Sequence, residues 1–184
     1  MMRKTEMAFI DRAVEQADKL PGMMRDGVKA VILEDTGSAI AQIAEAVASE
    51  DAEISALHIM AHGAPGAIEF SSGALNAASL SKSREDLSAI GSRMAPDARV
   101  NLWVCEAAAT EDGRAFLTDM GSMLGKSITA SSQKVGNAAK GGTWMLDTLI
   151  AVSPLTSAAQ ASYAGVFTAF NATTGTDNPT LSRQ

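Results

Sequence analysis

Apolar residues in this chain fall in short runs separated by polar or glycine-bearing breaks. Two periods alternate along it. Residues 6–20 place Ile10, Val14, Ala17 and Leu20 at helical spacing, with Pro21-Gly22 as the stop. That pattern predicts a surface helix within an N-terminal segment 1–22. Val28–Leu33 is a compact run of β type that ends at Glu34-Asp35. Thr36-Gly37-Ser38 then supplies N-cap chemistry for a helix carrying Ile40, Ile43 and Val47. Ala56–Gly63 and Ala98–Cys105 are apolar nearly throughout, as strands buried on both faces of a parallel sheet are.

Between those two runs, Ala67–Phe70 and the turn Ser71-Ser72-Gly73 predict a small hairpin over the sheet edge. Leu80, Leu87, Ile90 and Met94 mark a helix that ends before Pro96. After Cys105, Thr110-Glu111-Asp112 caps a helix with Phe116, Leu117, Met120 and Leu124, its acidic first turn matching the helix dipole. Gly125 suits the position just past that helix. Ser127–Ser131 reads as a fourth strand, 133–142 as a polar loop and Thr143–Leu146 as a fifth strand. Ser153-Pro154 predicts a helix start, with the helix running through Tyr163 toward Phe167. Strands alternating with helices imply right-handed crossovers and a mainly parallel sheet over 23–168. The Thr/Gly/Asn/Pro-rich stretch 169–184 reads as a flexible tail.

Length and composition narrow the class. The 184 residues suit one domain with a sizeable core, and 46% of them are hydrophobic, yet only 4% are aromatic. The interior must therefore be built largely from Ala, Val, Ile, Leu and ten Met. A net charge of −6, with no Lys/Arg run, argues against a nucleic-acid partner. No apolar stretch approaches the roughly 20 residues that span a bilayer, so no membrane partner is expected. Glu6, Asp11 and Glu15 interrupt the start, which predicts no secretory leader. One cysteine suits a reducing cytoplasm, although leaderless export would leave no mark.

The candidate chemistry lies at the ends of the two central runs. One stops at His62-Gly63 and the other at Cys105, which places both reactive groups at the sheet's carboxyl edge, where open α/β sheets hold their sites. Cys105 is the only cysteine and His58 the only other histidine, so few nucleophile–base pairs can be drawn. Gly63 lets a backbone approach and can donate its N–H to a developing oxyanion, with the Cys105 N–H as second donor. Read alone, Cys105 is equally a small core residue. The matching position of His62 favours catalysis. His58 reads as a buried, hydrogen-bonded histidine; no third metal ligand stands out, and neither metal nor cofactor is expected. Gly121–Ser127 is one residue short of a phosphate-binding loop and ends a helix, so nucleotide binding is rejected.

These residues also carry a resemblance. Ala61-His62-Gly63-Ala64-Pro65-Gly66, Val104-Cys105-Glu106, Gly113-Arg114-Ala115-Phe116 and Gly141-Gly142-Thr143-Trp144 together resemble a bacterial family of unknown function, often found near the start of long adhesin-like proteins. Its His-Gly and terminal-Cys blocks are similar to those of caspase- and gingipain-like cysteine peptidases. Caspases carry the catalytic His about 50 residues before the Cys, close to the separation here. Ala61, Val104 and Glu106 depart from the family's usual Ser, Gly and Asp. The resemblance implies a caspase-like three-layer α/β/α sandwich with a five- or six-stranded, mainly parallel sheet. It implies a cysteine endopeptidase with His62 and Cys105 as dyad, Gly63 and Cys105 as backbone donors, and a peptide or protein substrate. The rival expectation is a silent scaffold that binds a peptide in the same cleft. Self-processing is a further expectation, with Ser132–Lys140 as a candidate segment beside its reading as an ordinary loop. In such folds the P1 pocket draws on the carboxyl end of the first strand, here Glu34-Asp35, which implies Lys or Arg at P1. Nothing in the chain speaks to its oligomeric state.

Overall fold

The computed structural model describes residues 3–147 and 151–167. In chain order the elements are β1 (Lys4–Asp11), β2 (Val28–Leu33), helix α1 (Ala39–Ala48), β3 (Glu53–Met60), and the short strands β4 (His62–Ala64), β5 (Ala67–Phe70) and β6 (Gly73–Asn76). Helix α2 (Arg84–Ser92), β7 (Met94–Trp103), helix α3 (Glu111–Leu124), β8 (Ser127–Thr129) and helix α4 (Ser157–Ser162) follow. Five strands form one sheet in the order β2-β1-β3-β7-β8, and every neighbouring pair is parallel. Strands β4, β5 and β6 make a small antiparallel sheet of their own.

Period-2 alternation sorts the large sheet into two apolar faces. Phe9, Leu57, Ile59, Val100 and Leu102 pack with Ile43, Leu87, Phe116 and Met120, so α1, α2 and α3 cover one face. Ile10, Met60, Trp103 and Cys105 point the other way, against Val14, Leu20, Leu155, Tyr163 and Phe167. The result is a mixed α/β fold consistent with a caspase-like α/β/α sandwich. Its second layer is mostly irregular chain around α4. Ser38 Oγ accepts from Ala41 N at 3.1 Å and Thr110 Oγ1 from Gly113 N at 3.0 Å, so the expected N-caps of α1 and α3 form. Gly125 ends α3 at φ 69°, a left-handed position that glycine takes without steric cost. The chain leaves β1 for β2, then passes back beyond β1 to β3 and onward to β7 and β8. Its direction reverses at β1, and the carboxyl ends beside such a reversal form a crevice.

The structure corrects four expected elements. The helix expected within 1–22 is the interior strand β1: Met7, Ala8, Phe9 and Ile10 are consecutive and fully buried, between β2 and β3. Val14, Ala17 and Leu20 are buried too, but on turns and a short 3-10 segment at Leu20–Met23. Thr143–Leu146 is no strand. Its backbone forms one isolated bridge, Val135–Thr143, and Trp144 turns down onto Trp103 on the sheet's second face. The last helix starts at Ser157 with Thr156 as its cap, since Pro154 and Leu155 are engaged with Arg25 and Met24. It ends at Ser162, and Tyr163 leaves it with extended backbone. Met94 belongs to β7, not to α2. The tail 169–184 lies outside the described residues.

One buried polar cluster lies on the second face. Trp103 Nε1 donates to His58 Nδ1 at 2.9 Å, and an indole N–H can only donate. His58 therefore carries its proton on Nε2, which donates to Glu6 Oε1 at 2.8 Å. Its ring is neutral, so this contact is a hydrogen bond and the charge pairing of Glu6 comes from Arg25 at 2.9 Å. Burial pushes the His58 pKa down. The His58 hydrogen bond, helped by Arg25 and opposed by burial, holds Glu6 at about 2.

Both shifts make the fold acid-labile. The unfolded chain protonates His58 near its ordinary value of 6.5, and the folded chain resists that proton, so stability falls as pH drops below 6.5. Glu6 adds stability above its ordinary 4.5 that is lost as pH falls toward 2. Urea midpoints measured from neutral to acidic pH should decline below 6.5, and His58→Gln should flatten the limb between 6.5 and 4.5. A flat wild-type midpoint over that limb would show that His58 is protonated inside the fold.

Candidate functional site

Strands β3 and β7 are neighbours with Met60 paired to Trp103, so each delivers the residue two places on to the same height at the carboxyl edge. Those residues are His62 and Cys105. The sheet alternation that turns Trp103 to the second face turns Cys105 there as well. After Met60 the backbone leaves the large sheet, and His62 opens β4 instead of closing β3. This bend presses Gly63 against the neighbouring chain. A Cβ at Gly63 would lie 1.9 Å from Val104 Cγ1 and 2.9 Å from the Cys105 carbonyl oxygen. Val104 is buried on the helical face beneath Gly63 and so stays out of the cleft.

The two expected backbone donors meet on one atom. Gly63 N donates to the Phe167 carbonyl oxygen at 3.0 Å and Cys105 N donates to it at 3.2 Å. The carbonyl belongs to the segment that follows α4. That segment crosses the carboxyl edge and pairs with residues after β8: Phe167 N donates to Val135 O at 2.9 Å and Asn137 N to Gly165 O at 2.8 Å.

His62 Nε2 lies 3.1 Å from the Ala13 carbonyl oxygen. A carbonyl only accepts, so Nε2 carries a proton, and in the neutral ring Nδ1 then presents the lone pair. Nδ1 is buried and has no hydrogen-bond partner among the described residues. Ala13 is fixed in turn by Asp11, whose buried carboxylate accepts from Ala13 N at 3.1 Å, Ser71 N at 2.9 Å and Ser71 Oγ at 2.6 Å. Asp11 thus ties the end of β1, the β5–β6 turn and, through Ala13, the imidazole into one unit.

Cys105 is fully buried. Its Sγ accepts from Val135 N at 3.1 Å and lies 3.6 Å from Val135 O. Burial pushes the thiol up to about 11, while hydrogen bonding from the Val135 and Phe167 amides pulls the other way. Glu106, directly after it, has φ 59°, left-handed backbone that Asp or Asn tolerates better. The turn that follows Cys105 therefore holds local strain.

Glu34 and Asp35 are not part of this site. They follow β2, the edge strand, and β1 and β3 stand between β2 and β7. Glu34 is also paired with Arg12 at 2.6 Å on the surface. The expected P1 pair follows an edge strand because β1, read as helix from the sequence, displaces Val28–Leu33 to the edge. The Ser132–Lys140 segment is tied in at Val135, which is wholly buried, and at Asn137, whose side chain donates to Tyr163 O at 2.7 Å. Asp11, Ala13, Val135 and Phe167 were missed. Three of them act through backbone atoms, and Asp11 was hidden by the helical reading of its strand. Among the described residues no group of three or more His, Cys, Asp or Glu is placed to hold a metal ion, and no helix is long and apolar enough to cross a membrane.

Residues 7–167 match the model of a family described as a domain of unknown function (DUF4347), and the chain belongs to that family. No curated protein matches the chain. The match begins inside β1 and closes at Phe167.

The Gly63 contact can be tested by substitution. Gly63→Ala should destabilise by about 1–3 kcal/mol, the usual cost of overpacking. Val104→Ala should recover part of that loss in the double variant, because the nearer clash is with Val104 Cγ1 and the Cys105 carbonyl clash remains. Denaturant unfolding of the four proteins measures the coupling. Strictly additive effects would show that Gly63 and Val104 are not pressed together.

Proposed function

We propose that this member of the DUF4347 family is a caspase-like cysteine endopeptidase with Cys105 as nucleophile and His62 as general acid and base. One observation carries the reading: two backbone N–H groups, from the residue after His62 and from Cys105 itself, converge on a single peptide carbonyl oxygen. An oxyanion that develops in acyl transfer needs donors placed in this way before the reaction begins.

The chemistry follows from the same atoms. The Cys105 thiol passes its proton to His62 Nδ1, and sulfur attacks the carbonyl carbon as the C=O electron pair moves onto oxygen, toward the Gly63 and Cys105 N–H groups. Collapse breaks the C–N bond, and the leaving nitrogen takes the proton from His62. Water, giving its proton to His62, then hydrolyses the thioester to a carboxylic acid and restores the thiol. The Ala13 carbonyl holds the imidazole with Nδ1 unprotonated, and Asp11 positions Ala13.

A binding scaffold is the second reading, and the state of the thiol favours it: Cys105 is buried and its pKa is raised to about 11. A simple alkylating reagent should therefore react slowly at neutral pH and gain about tenfold per pH unit as the thiolate fraction grows toward 11. A peptidyl electrophile separates the readings, because it uses the oxyanion donors and His62. Labelling should vanish in Cys105→Ala and slow by about 10²–10⁴ in His62→Ala, the usual range for general acid–base help. Labelling at neutral pH no faster than that of free cysteine, and indifferent to His62→Ala, would leave the scaffold.

A further inference from the structure

We infer that the chain is its own substrate, and that Cys105 cleaves the peptide bond between Phe167 and Thr168. This rests on the peptidase reading and names its substrate. The expected processing segment Ser132–Lys140 then serves as part of the groove instead of as the cleaved bond.

Phe167 has the features of a P1 residue. Its carbonyl oxygen is the atom held by Gly63 N and Cys105 N. A buried carbonyl needs only one donor for satisfaction; here it takes two, from the residue after the base and from the nucleophile. The approach is that of an added strand: Phe167 N donates to Val135 O, Asn137 N donates to Gly165 O, and Gly136 forms an antiparallel bridge to Val166. Strand addition of this kind gives affinity through the main chain and selects through alternate side-chain pockets. The Phe167 ring fills such a pocket. It is fully buried, edge-on to Trp144 at 5.8 Å and tilted against Tyr163 at 5.5 Å. Its described walls are the rings of Trp144 and Tyr163, which suit an aromatic side chain at P1. The segment is also anchored upstream, where Tyr163 Oη donates to Glu15 O at 2.8 Å. The family match closes on this same residue.

Cleavage balances with water alone. Sulfur bonds to the Phe167 carbonyl carbon, the bond to the Thr168 nitrogen breaks, and that nitrogen leaves with the proton delivered by His62. Hydrolysis of the thioester yields a chain ending in the Phe167 carboxylate and a free peptide 168–184.

The test follows the intact mass of the purified full chain during incubation from neutral to alkaline pH. The expected products are 1–167 and 168–184, formed at a rate independent of protein concentration and absent in Cys105→Ala. Added hydroxylamine should trap the acyl intermediate as a Phe167 hydroxamate. Phe167→Asp should slow cleavage more than tenfold. Thr168→Pro, which leaves the described core untouched, should block cleavage with the melting temperature unchanged. A full-length chain that stays intact while hydrolysing a fluorogenic peptide with Phe at P1 would overturn self-cleavage and leave the peptidase standing. Cys105-dependent cleavage at any other bond would do the same. Absence of both reactions would overturn both.

Discussion

Two backbone N–H groups can share one carbonyl oxygen only if the chains that carry them approach a common point. At this sheet edge the approach depends on Gly63, whose missing side chain leaves room for Val104 and the Cys105 carbonyl. The parallel register does the rest: Met60 stands opposite Trp103, so the chains leave the sheet at equal height with His62 and Cys105 at matching offsets. Loss of this contact would separate the imidazole, the thiol and both donors together, because all four sit on the same two short connections. The helical layer supports the arrangement from below, with Val104 packed into the core on that side.

The second layer is built differently. Where α1–α3 give one face regular cover, the other is sealed largely by aromatic side chains on irregular backbone. Both tryptophans and the only tyrosine are gathered there, in a chain that is otherwise poor in aromatics. Trp103 joins two functions, with its ring against Trp144 and its N–H on His58. His58 and Trp103 thus stand below the His62–Cys105 edge along the same face of β3 and β7, with the Glu6–Arg25 pair attached at His58. Burial sets the state of the titratable groups at both ends, keeping His58 neutral and Cys105 protonated.

Much of this was legible where the signal is local. The caps at Ser38 and Thr110 and the stop at Gly125 follow from single side chains and one backbone angle, and α1 and α3 stand where those residues place them. The β7 run was legible because a central parallel strand is apolar on both faces. The strand β1 was not, since Met7–Ile10 is short and flanked by Glu6 and Asp11, acids that look solvated in sequence but are hydrogen-bonded within the structure. That misreading carried forward, moving the first strand to Val28–Leu33 and the supposed P1 carboxylates to the wrong edge. His62 and Cys105 could be picked out because their chemistry lies in side chains. The Ala13, Val135 and Phe167 contributions are main-chain atoms, which any residue type supplies and no motif records.

The Phe167 carbonyl makes the groove a site of competition. Residues 163–167 remain joined to the domain through α4, so a peptide arriving from solution meets a tethered rival. A short tether gives its ligand an effective concentration of the order of millimolar. A foreign peptide of equal affinity must exceed that concentration before it reaches the two N–H groups, and a better fit lowers the requirement in proportion. On the peptidase reading proposed above, part of the selectivity against casual substrates therefore comes with the connectivity of the chain and not from the pocket alone.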